Sequence, residues 1–553
     1  MDIFVGVNGP YLSLRFEYDA KVIDQVRLIP GRKFHRGSCS WLVPLTAESV
    51  SELSACLPGH SMHFDSAVDM RLAELRKAEQ LTNEIKAGSA GLPSDMQFPQ
   101  AYPPMSQQRT ALALAVARSA FGLFMEMGSG KTYVILALLN WLRCKPSLIV
   151  CPASVMSVWQ DQAAQFYPGL KVELLTGPIS ERIARLRLLQ SDIYVINYEA
   201  TWRMAEALTE VKWKSLTLDE GHRIKGRTTK QAKALVKLGR GVPRRYLLTG
   251  TPMPNSPLEL FSQFNFLDPA ILGPNFYAFR DRYAIMGGYQ GYQAIGWKNM
   301  DELSAKIAAH SYRVLKRDCM DLPEKVYTPV RLTLQGDQKT AYSSMAKTLV
   351  AELGKDKEVT ASVIISKLIK LREIASGFCI TDDGQLHYFK ENAKLQALRD
   401  IVEDLPETGK LVIWCMFKAE LSIVKQLLDS MGHESVIISG DVAVEDRGEL
   451  VKRFQTEPKL RFFIGQQRAG GLGITLTAAS NCVFFSNDYS PEIRLQAEDR
   501  LHRIGQTNKV TYWDLLCKGT IDTSIRAALK RKQNLSAMVT GDTLEKIIGG
   551  EDV

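Results

Sequence analysis

Residues 120–142 read AFGLFMEMGSGKTYVILALLNWL: an apolar run of strand length, a turn of small residues, then an apolar stretch of helical length. Small residues from Gly128 to Gly130 let backbone N–H groups wrap phosphate oxygens. Lys131 supplies a point charge for β and γ phosphates, and Thr132 offers a hydroxyl to Mg²⁺. The strict phosphate-loop pattern starts with a glycine where this chain has Met125. By itself the stretch therefore also reads as an ordinary Gly-rich turn.

Toward the C-terminus the strand-then-helix pattern repeats. SLIVCP (147–152), DIYVINYE (192–199), SLTLDE (215–220) and RRYLLTGTP (244–252) are short apolar runs set between helical stretches. That alternation predicts a parallel α/β sheet. From about 255 to 322 the chain is less regular, aromatic-rich and mostly helical, and helical periodicity resumes from Gln335 to about Asp400. Alternation then returns with LVIWCMF (411–417), SVIISG (435–440), RFFIG (461–465) and NCVFFSN (481–487). One architecture occurs twice, and two such sheets imply a cleft.

Toward the N-terminus, AGSAGLPSDMQFPQAYPP (87–104) concentrates Gly, Ser and Pro and reads as a linker. Before it, RLAELRKAEQLTNEIK (71–86) has leucines separated by charges, as on an amphipathic helix. Residues 1–70, with turn signals at Pro30-Gly31 and Pro58-Gly59, suggest a small strand-rich unit. The 553 residues, at about 150 per domain, allow three to four domains and exclude a single small binding module. Hydrophobic residues at 45% and charged residues at 23% exclude wholesale disorder. A formal charge of +9, from 69 Lys plus Arg against 60 Asp plus Glu, favours a polyanionic partner.

Nine scattered cysteines with no CxxC pair suit a reducing compartment. The start, MDIFVGVNGP, lacks a basic run and a long apolar core, so no secretory signal is expected and the localisation expected is cytoplasmic. Cys39, Cys56, His60 and His63 match no common zinc-finger spacing.

Two further constellations carry chemistry. Asp219 and Glu220 end an apolar strand; Asp219 would hold Mg²⁺ and Glu220 would orient and deprotonate an attacking water. A bare acidic pair is also simply a solvated strand end. Arg500 and Arg503, in QAEDRLHRIGQ (496–506), stand three apart and on a helix project to one side, where both can reach a phosphate. The bland alternative is a charged helix face.

The order MGSGKT, DEGH, LLTGTP, RAGGLGITLTAAS and QAEDRLHRIGQ is similar to the Swi/Snf-type family of superfamily II helicase-like ATPases, and the likeness runs from about Pro104 to Ser536. The resemblance implies an α/β fold of two RecA-like parallel-sheet lobes, with helical insertions and a small N-terminal strand-rich α+β domain. The expected boundaries are 1–70 for the N-terminal unit, 71–100 for helix and linker, 101–325 and 326–545 for the lobes, and 546–553 for a tail. It also implies a DNA-dependent ATPase that tracks along duplex DNA using ATP and Mg²⁺. Position by position, Gln108 matches the adenine-reading glutamine, with Gln107 a weaker candidate. Gly128, Ser129, Gly130, Lys131 and Thr132 match the phosphate loop, with Gly473 a further nucleotide contact. Asp219 and Glu220 match the metal and water-activating pair, and Arg500 and Arg503 the arginine fingers that act when the lobes close on ATP.

Ser154, Asn197, Tyr198, Arg468, Gly470 and Gly471 match segments lining the DNA track, and Thr249 the segment that couples nucleotide state to DNA grip. Against the family pattern, Met125 replaces a common Asp, DEGH replaces DEAH, and Tyr312-Arg313-Val314-Leu315-Lys316-Arg317 replaces an Arg-Arg-x-Lys run. No bromodomain-like, chromodomain-like or finger-like reader is found, so nucleosomes are not the expected substrate, and a bacterial or phage source is expected.

Phe16 to Leu45 resembles the HARP domain of annealing helicases, with Pro30, Gly31, Arg32, Phe34, Trp41 and Pro44 at matching places. Arg32, Lys33 and Arg36 beside Phe34 and Trp41 mix phosphate-binding charge with stacking surface, as a DNA junction would require; a solvated basic loop over a Trp-centred mini-core is the plain alternative. The expected activity is ATP-dependent remodelling of forked or branched DNA by a monomer with no membrane association. The alternatives are a motor that strips proteins from DNA and a nucleic-acid-binding scaffold that no longer hydrolyses ATP.

Overall fold

The computed structural model describes residues 1–29, 31–46, 49–287, 293–319, 322–353, 361–381, 383–470 and 474–540. The chain divides into two compact units, built on Met1–Cys319 and on Met320–Gln533.

In the first unit the N-terminal segment forms a five-stranded sheet in the order Lys33–His35, Ser40–Pro44, Tyr11–Arg15, Asp2–Asn8, Ser61–Phe64. Its pairs are antiparallel except Asp2–Asn8 with Ser61–Phe64. Alternate residues of the first strand, Ile3 and Val5, are buried with Leu12, Leu14, Val22 and Val43, the period of two expected of a half-covered sheet. The helix Ser66–Lys86, capped by Asp65, spans both the N-terminal sheet and the following lobe. Val68 and Leu72 join the sheet's core, while Ile85 joins the lobe's. Near its end Thr82 Oγ1 accepts from Arg118 Nε at 2.8 Å, and Lys86 Nζ donates to the carbonyls of Ala308 and, at 3.2 Å, Ser311. Residues 87–105 form no helix or strand but lie along the lobe, with Met96 buried in its core.

The lobe itself is a seven-stranded sheet, in the order Ser311–Val314, Ala120–Met125, Arg244–Leu248, Ser215–Asp219, Ser147–Cys151, Ile193–Asn197, Val172–Leu174. Every pair is parallel. Helices cover both faces, so a central strand such as SLIVC is buried at every position, which is why it reads as a continuous apolar run. Between strands Arg244–Leu248 and Ser311–Val314 lie the helices Leu260–Leu267, Pro269–Leu272, Phe276–Tyr283 and Met300–Ala309, with the antiparallel pair Ala284–Gly287 and Gln293–Trp297.

The second unit is a six-stranded parallel sheet in the order Lys325–Leu332, Val510–Cys517, Asn481–Phe484, Leu411–Cys415, Phe462–Gln466, Ser435–Ile438. The two strands that the alternation failed to mark, Lys325–Leu332 and Val510–Cys517, lie side by side. KVYTPVRL holds two charges and a proline among eight residues, which suits its place at the sheet edge, where Pro329 need not donate to a neighbour on both sides. Both units are thus parallel sheets layered with helices, the α/β architecture expected.

Candidate functional site

Parallel strands put all their carboxyl ends on one edge of the sheet, the place where open α/β sheets bind ligands. In the first unit that edge collects the expected residues. The turn after Ala120–Met125 holds Gly128 and Gly130 at φ +82° and +89° and leads into the helix Lys131–Leu142. Backbone amides at a helix start, reinforced by the helix dipole, make an oxyanion site. Gly130 is required sterically as well: a Cβ there would run into the Gln108 carboxamide. Gln108 is buried at the start of Ser106–Ala117, its Oε1 accepting from Met105 N at 2.9 Å and its Nε2 donating to Ser129 O at 3.4 Å. Ser129 is fully buried and donates to Glu126 O at 2.6 Å, while Lys131 Nζ donates to Met125 O at 2.8 Å and Glu126 O at 3.3 Å. Thr132 is half-buried on the first turn.

Asp219 ends the strand Ser215–Asp219, and Glu220 follows in the left-handed region at φ 53°, a conformation a non-glycine residue rarely holds. Trp159 Nε1 donates to Asp219 Oδ2 at 3.0 Å and Tyr198 Oη to the Asp219 carbonyl at 2.8 Å. Burial, then the neighbouring Glu220 carboxylate, push the Asp219 carboxyl up to about 6, against the pull of Lys131 and of the Trp159 hydrogen bond. A carboxylate so disfavoured is one that a cation relieves. From this pair a polar path leads onward: His222 Nδ1 lies 3.5 Å from Glu220 Oε2 and is hydrogen-bonded at 3.0 Å to Thr249 Oγ1, which in turn accepts from Thr251 N at 3.1 Å.

Several of these contacts carried no marker in the sequence. Trp159 comes from the helix Met156–Phe166. Glu126 ties the phosphate turn to the last strand of its sheet: its Oε2 accepts from Lys316 N at 2.9 Å, and Arg313 Nη2 lies 3.9 Å from its Oε1. Arg313 Nη1 donates to Gly250 O at 2.8 Å. The altered Arg-Arg-x-Lys region is therefore wired to the turn by Arg313 and Lys316. The Gly of DEGH also has a cause, since a Cβ on Gly221 would run into the Leu247 side chain.

In the second unit, Arg500 and Arg503 follow the helix Pro491–Glu498. Arg500 Nη1 donates to Ile474 O at 3.4 Å, and Arg503 Nη1 to Thr475 Oγ1 at 2.9 Å. Arg500 is 3% exposed, not on a solvated helix face. What anchors this segment is a buried ionic cluster. Arg494, fully buried, donates to Glu498 Oε1 at 2.7 Å, to Asn487 Oδ1 at 2.7 Å and to both oxygens of Asp514. Glu498 Oε2 accepts from Lys325 Nζ at 3.0 Å and Tyr327 Oη at 2.7 Å.

An SNF2-related domain matches residues 107–377 and a helicase conserved C-terminal domain residues 393–505. The chain carries the two domains of the Swi/Snf-type, superfamily II helicase-like ATPases. Its relatives include a CHD3-type chromatin-remodeling factor of Arabidopsis thaliana, 28% identical over 76% of this chain and 36% of that one. An uncharacterized ATP-dependent helicase of Mycoplasma genitalium is 28% identical over 74% and 39%. The TATA-binding protein-associated factor MOT1 of Saccharomyces cerevisiae is 29% identical over 72% and 24%. The chain thus spans about a quarter to two fifths of the length of these curated relatives. Among solved structures, the Sulfolobus solfataricus SWI2/SNF2 ATPase core in complex with dsDNA is 27% identical, with a TM-score of 0.39 over 80% of this chain and 94% of that one.

Residues that the Swi/Snf likeness assigns to the DNA track fall into two groups. Tyr198 and Thr249 are fully buried and engaged with Asp219 and His222. Asn197 accepts from Arg182 Nη1 and donates to Glu199, both at 2.9 Å. Ser154 Oγ is buried with no hydrogen-bond partner among the described residues. Arg468 is well exposed while pairing with Asp488 at 2.9 Å, and Gly470 ends the short helix Gln467–Gly470. Gly471 and Gly473 lie outside the described residues, as does Pro30 of the N-terminal resemblance. Arg32, Lys33 and Arg36 are exposed, and Trp41 is half-buried with its ring edge-on to Phe34 at 5.3 Å. Among the described residues no helix is long and apolar enough to cross a membrane.

Proposed function

We propose that this chain is an ATP-dependent motor on double-stranded DNA that remodels forked or branched molecules, in the manner of annealing or fork regression. Lys131 and the amides of residues 128–132 hold the β and γ phosphates, and Gln108 reads the adenine. Glu220 orients the attacking water and takes its proton, while Arg500 and Arg503 stabilise the charge that develops on the transferring phosphoryl group, a contribution typically of about 10³–10⁵ in rate. Asp219 and Thr132 would hold Mg²⁺, which when bound supplies neutralising charge to the phosphate oxygens.

The observation that carries this reading is the meeting, on one sheet edge, of the Lys131 turn and the Asp219–Glu220 pair, with a polar exit through His222 to Thr249. Such a link gives the hydrolytic site a physical route to the 249–251 segment, so that nucleotide state and DNA grip share one free-energy cycle. The exposed basic and aromatic edge of the N-terminal sheet supports the forked-substrate part of the reading.

ATP turnover measured with no DNA, single strands, duplex and forks across salt tests it. Duplex or fork stimulation that falls with salt is expected, because phosphate contacts release counterions. Glu220→Gln should bind nucleotide and not hydrolyse it; normal turnover would remove the assigned base. Truncation after residue 86 is a poor test of the N-terminal unit, because Ile85 and Thr82 support the lobe. Phe34→Ala with Arg36→Glu is cleaner: fork remodelling should fail while duplex-stimulated turnover survives.

A further inference from the structure

Within the first unit, the N-terminal sheet and the lobe enclose a cleft of about 610 Å³. At their seam the backbones nearly touch: a Cβ on Gly31 would sit 3.7 Å from the Gly273 Cα. One wall presents Arg32 and Lys33 from the N-terminal sheet. The other presents Arg227 and, from the helix Lys230–Gly239 and its C-cap, Lys233, Lys237 and Arg240. All six cations are exposed, and among the described residues no carboxylate lines the cleft. Lys233, Lys237 and Arg240 share one helix face at spacings of four and three, where like charges repel. The opposite face, Ala232, Leu235 and Gly239, is buried. A lobe needs no such unneutralised row for its own fold; the row calls for an anion from outside.

The floor of the cleft says which anion. Phe276 and Tyr277 line it, with the Arg227 guanidinium 4.1 Å above the Phe276 ring and 5.5 Å from that of Tyr277. Tyr277 is 57% exposed, and its ring lies beside two guanidiniums, Arg227 and, at 5.2 Å, Arg280. Cations that track a backbone together with an open aromatic face are the signature of single-strand binding. The volume points the same way, since it falls in the small-ligand range of about 300–1,000 Å³, too small for a double helix to enter.

We propose that this cleft is a single-stranded DNA site, with phosphates held between its two basic walls and a base stacked on Tyr277. The site deepens the fork-remodelling reading and rests on it for the identity of the polymer. It lies apart from the ATP residues, so strand capture is separable from hydrolysis.

The test uses full-length protein and a fluorescein-labelled oligothymidine of about 15 nucleotides, with a blunt duplex of equal length as comparison. Lys233→Glu with Lys237→Glu should weaken single-strand binding at least tenfold and lower the slope of log K against log salt by about 1.4, two phosphate contacts at about 0.7 each. Lys33→Glu, on the opposite wall, should weaken it as well. Tyr277→Ala should cost roughly tenfold with the salt slope unchanged, because stacking releases no counterions. In the Lys233→Glu/Lys237→Glu and Tyr277→Ala proteins, duplex affinity and DNA-free ATP turnover should stay within twofold of wild type, and thermal unfolding controls for folding.

Unchanged strand affinity in the charge-reversed variants would overturn the proposal. So would an equal loss of duplex affinity, which would make the cleft part of a duplex track, or a wild-type protein that does not bind the oligothymidine. Duplex-stimulated turnover is read on the same samples. Its absence in wild type sinks the motor reading alone, and its presence with normal strand binding in the variants sinks the cleft alone.

Discussion

Glu498→Gln is the substitution whose cost can be worked from the structure. Burial alone would raise the Glu498 carboxyl, but Lys325 and Arg494 outweigh it and hold the group down to about 2, from an ordinary value of 4.5. That difference of about 2.5 units, at about 1.36 kcal/mol each, is roughly 3 kcal/mol favouring the folded, ionised state. Removing one partner of a buried pair gives an independent figure of about 3–5 kcal/mol. Glutamine keeps the shape but turns an N–H₂ toward donors, either Arg494 or the Lys325 and Tyr327 pair. For a unit the size of Met320–Gln533, each kcal/mol moves the melting temperature by about 2–4 °C, so a drop of roughly 6–12 °C in its transition is expected.

Calorimetry at pH 7.5 reads that drop, and the pH dependence checks its cause. A depressed folded pKa gives stability that is fully present above the unfolded value of 4.5 and lost as pH falls toward about 2. The gap between wild type and variant should therefore be flat from pH 8 to about 5.5 and shrink below that. A variant melting within 1 °C of wild type, taken as roughly a quarter of a kcal/mol, would refute the argument; so would a gap that widens in acid. The cluster bears on function because the Glu498 carbonyl accepts from Leu501 N and His502 N, both at 3.1 Å, setting the turn that carries Arg500 and Arg503.

Gly130→Ala, with a φ of +89° and the Gln108 carboxamide in the way, should lose nucleotide binding by at least about a hundredfold in a fluorescent-ATP titration, through backbone strain of about 1–3 kcal/mol added to the clash. Adding Gln108→Ala should restore part of that binding. Trp159→Phe removes a hydrogen bond to a carboxylate, worth about 1.5–3 kcal/mol, and should lower ATP turnover by roughly tenfold or more while melting within a few degrees of wild type. His222→Ala breaks the link to Thr249, and the ratio of turnover with and without duplex should fall toward one while DNA-free turnover persists.

What the sequence made readable follows from how each feature is encoded. Strands buried on both faces announce themselves as unbroken apolar runs, which is why SLIVC and LVIWC were placed correctly. The edge strand Lys325–Leu332 is only half-covered and interrupted by Pro329, so its run is broken. The phosphate-turn glycines and the acidic pair are local signals, each readable from a few consecutive residues. By contrast, Trp159 reaches Asp219 from 60 positions away, and Glu126 meets Arg313 and Lys316 from nearly 190. Contacts of that kind are produced by sheet order, which no window of sequence contains.

Charge in the second unit shows why the motif there is longer than its chemistry requires. Arg500 and Arg503 are the cations proposed to act on phosphate, yet they sit beside Arg494 and Glu498, which are fully neutralised within the unit. A guanidinium that must meet a transferring phosphoryl group has to be held without being quenched by a carboxylate of its own. Here Arg500 donates to the Ile474 carbonyl and Arg503 to the Thr475 hydroxyl, with Asp499 also acting on Arg503, while Arg494, Lys325 and Arg526 take up Glu498 and Asp514. The structural cations keep Glu498 and Asp514 occupied, so these two acids do not compete for the arginines. On this argument the acids protect the function of the arginines by being paired elsewhere, and freeing either acid would weaken phosphate stabilisation even where the fold survived.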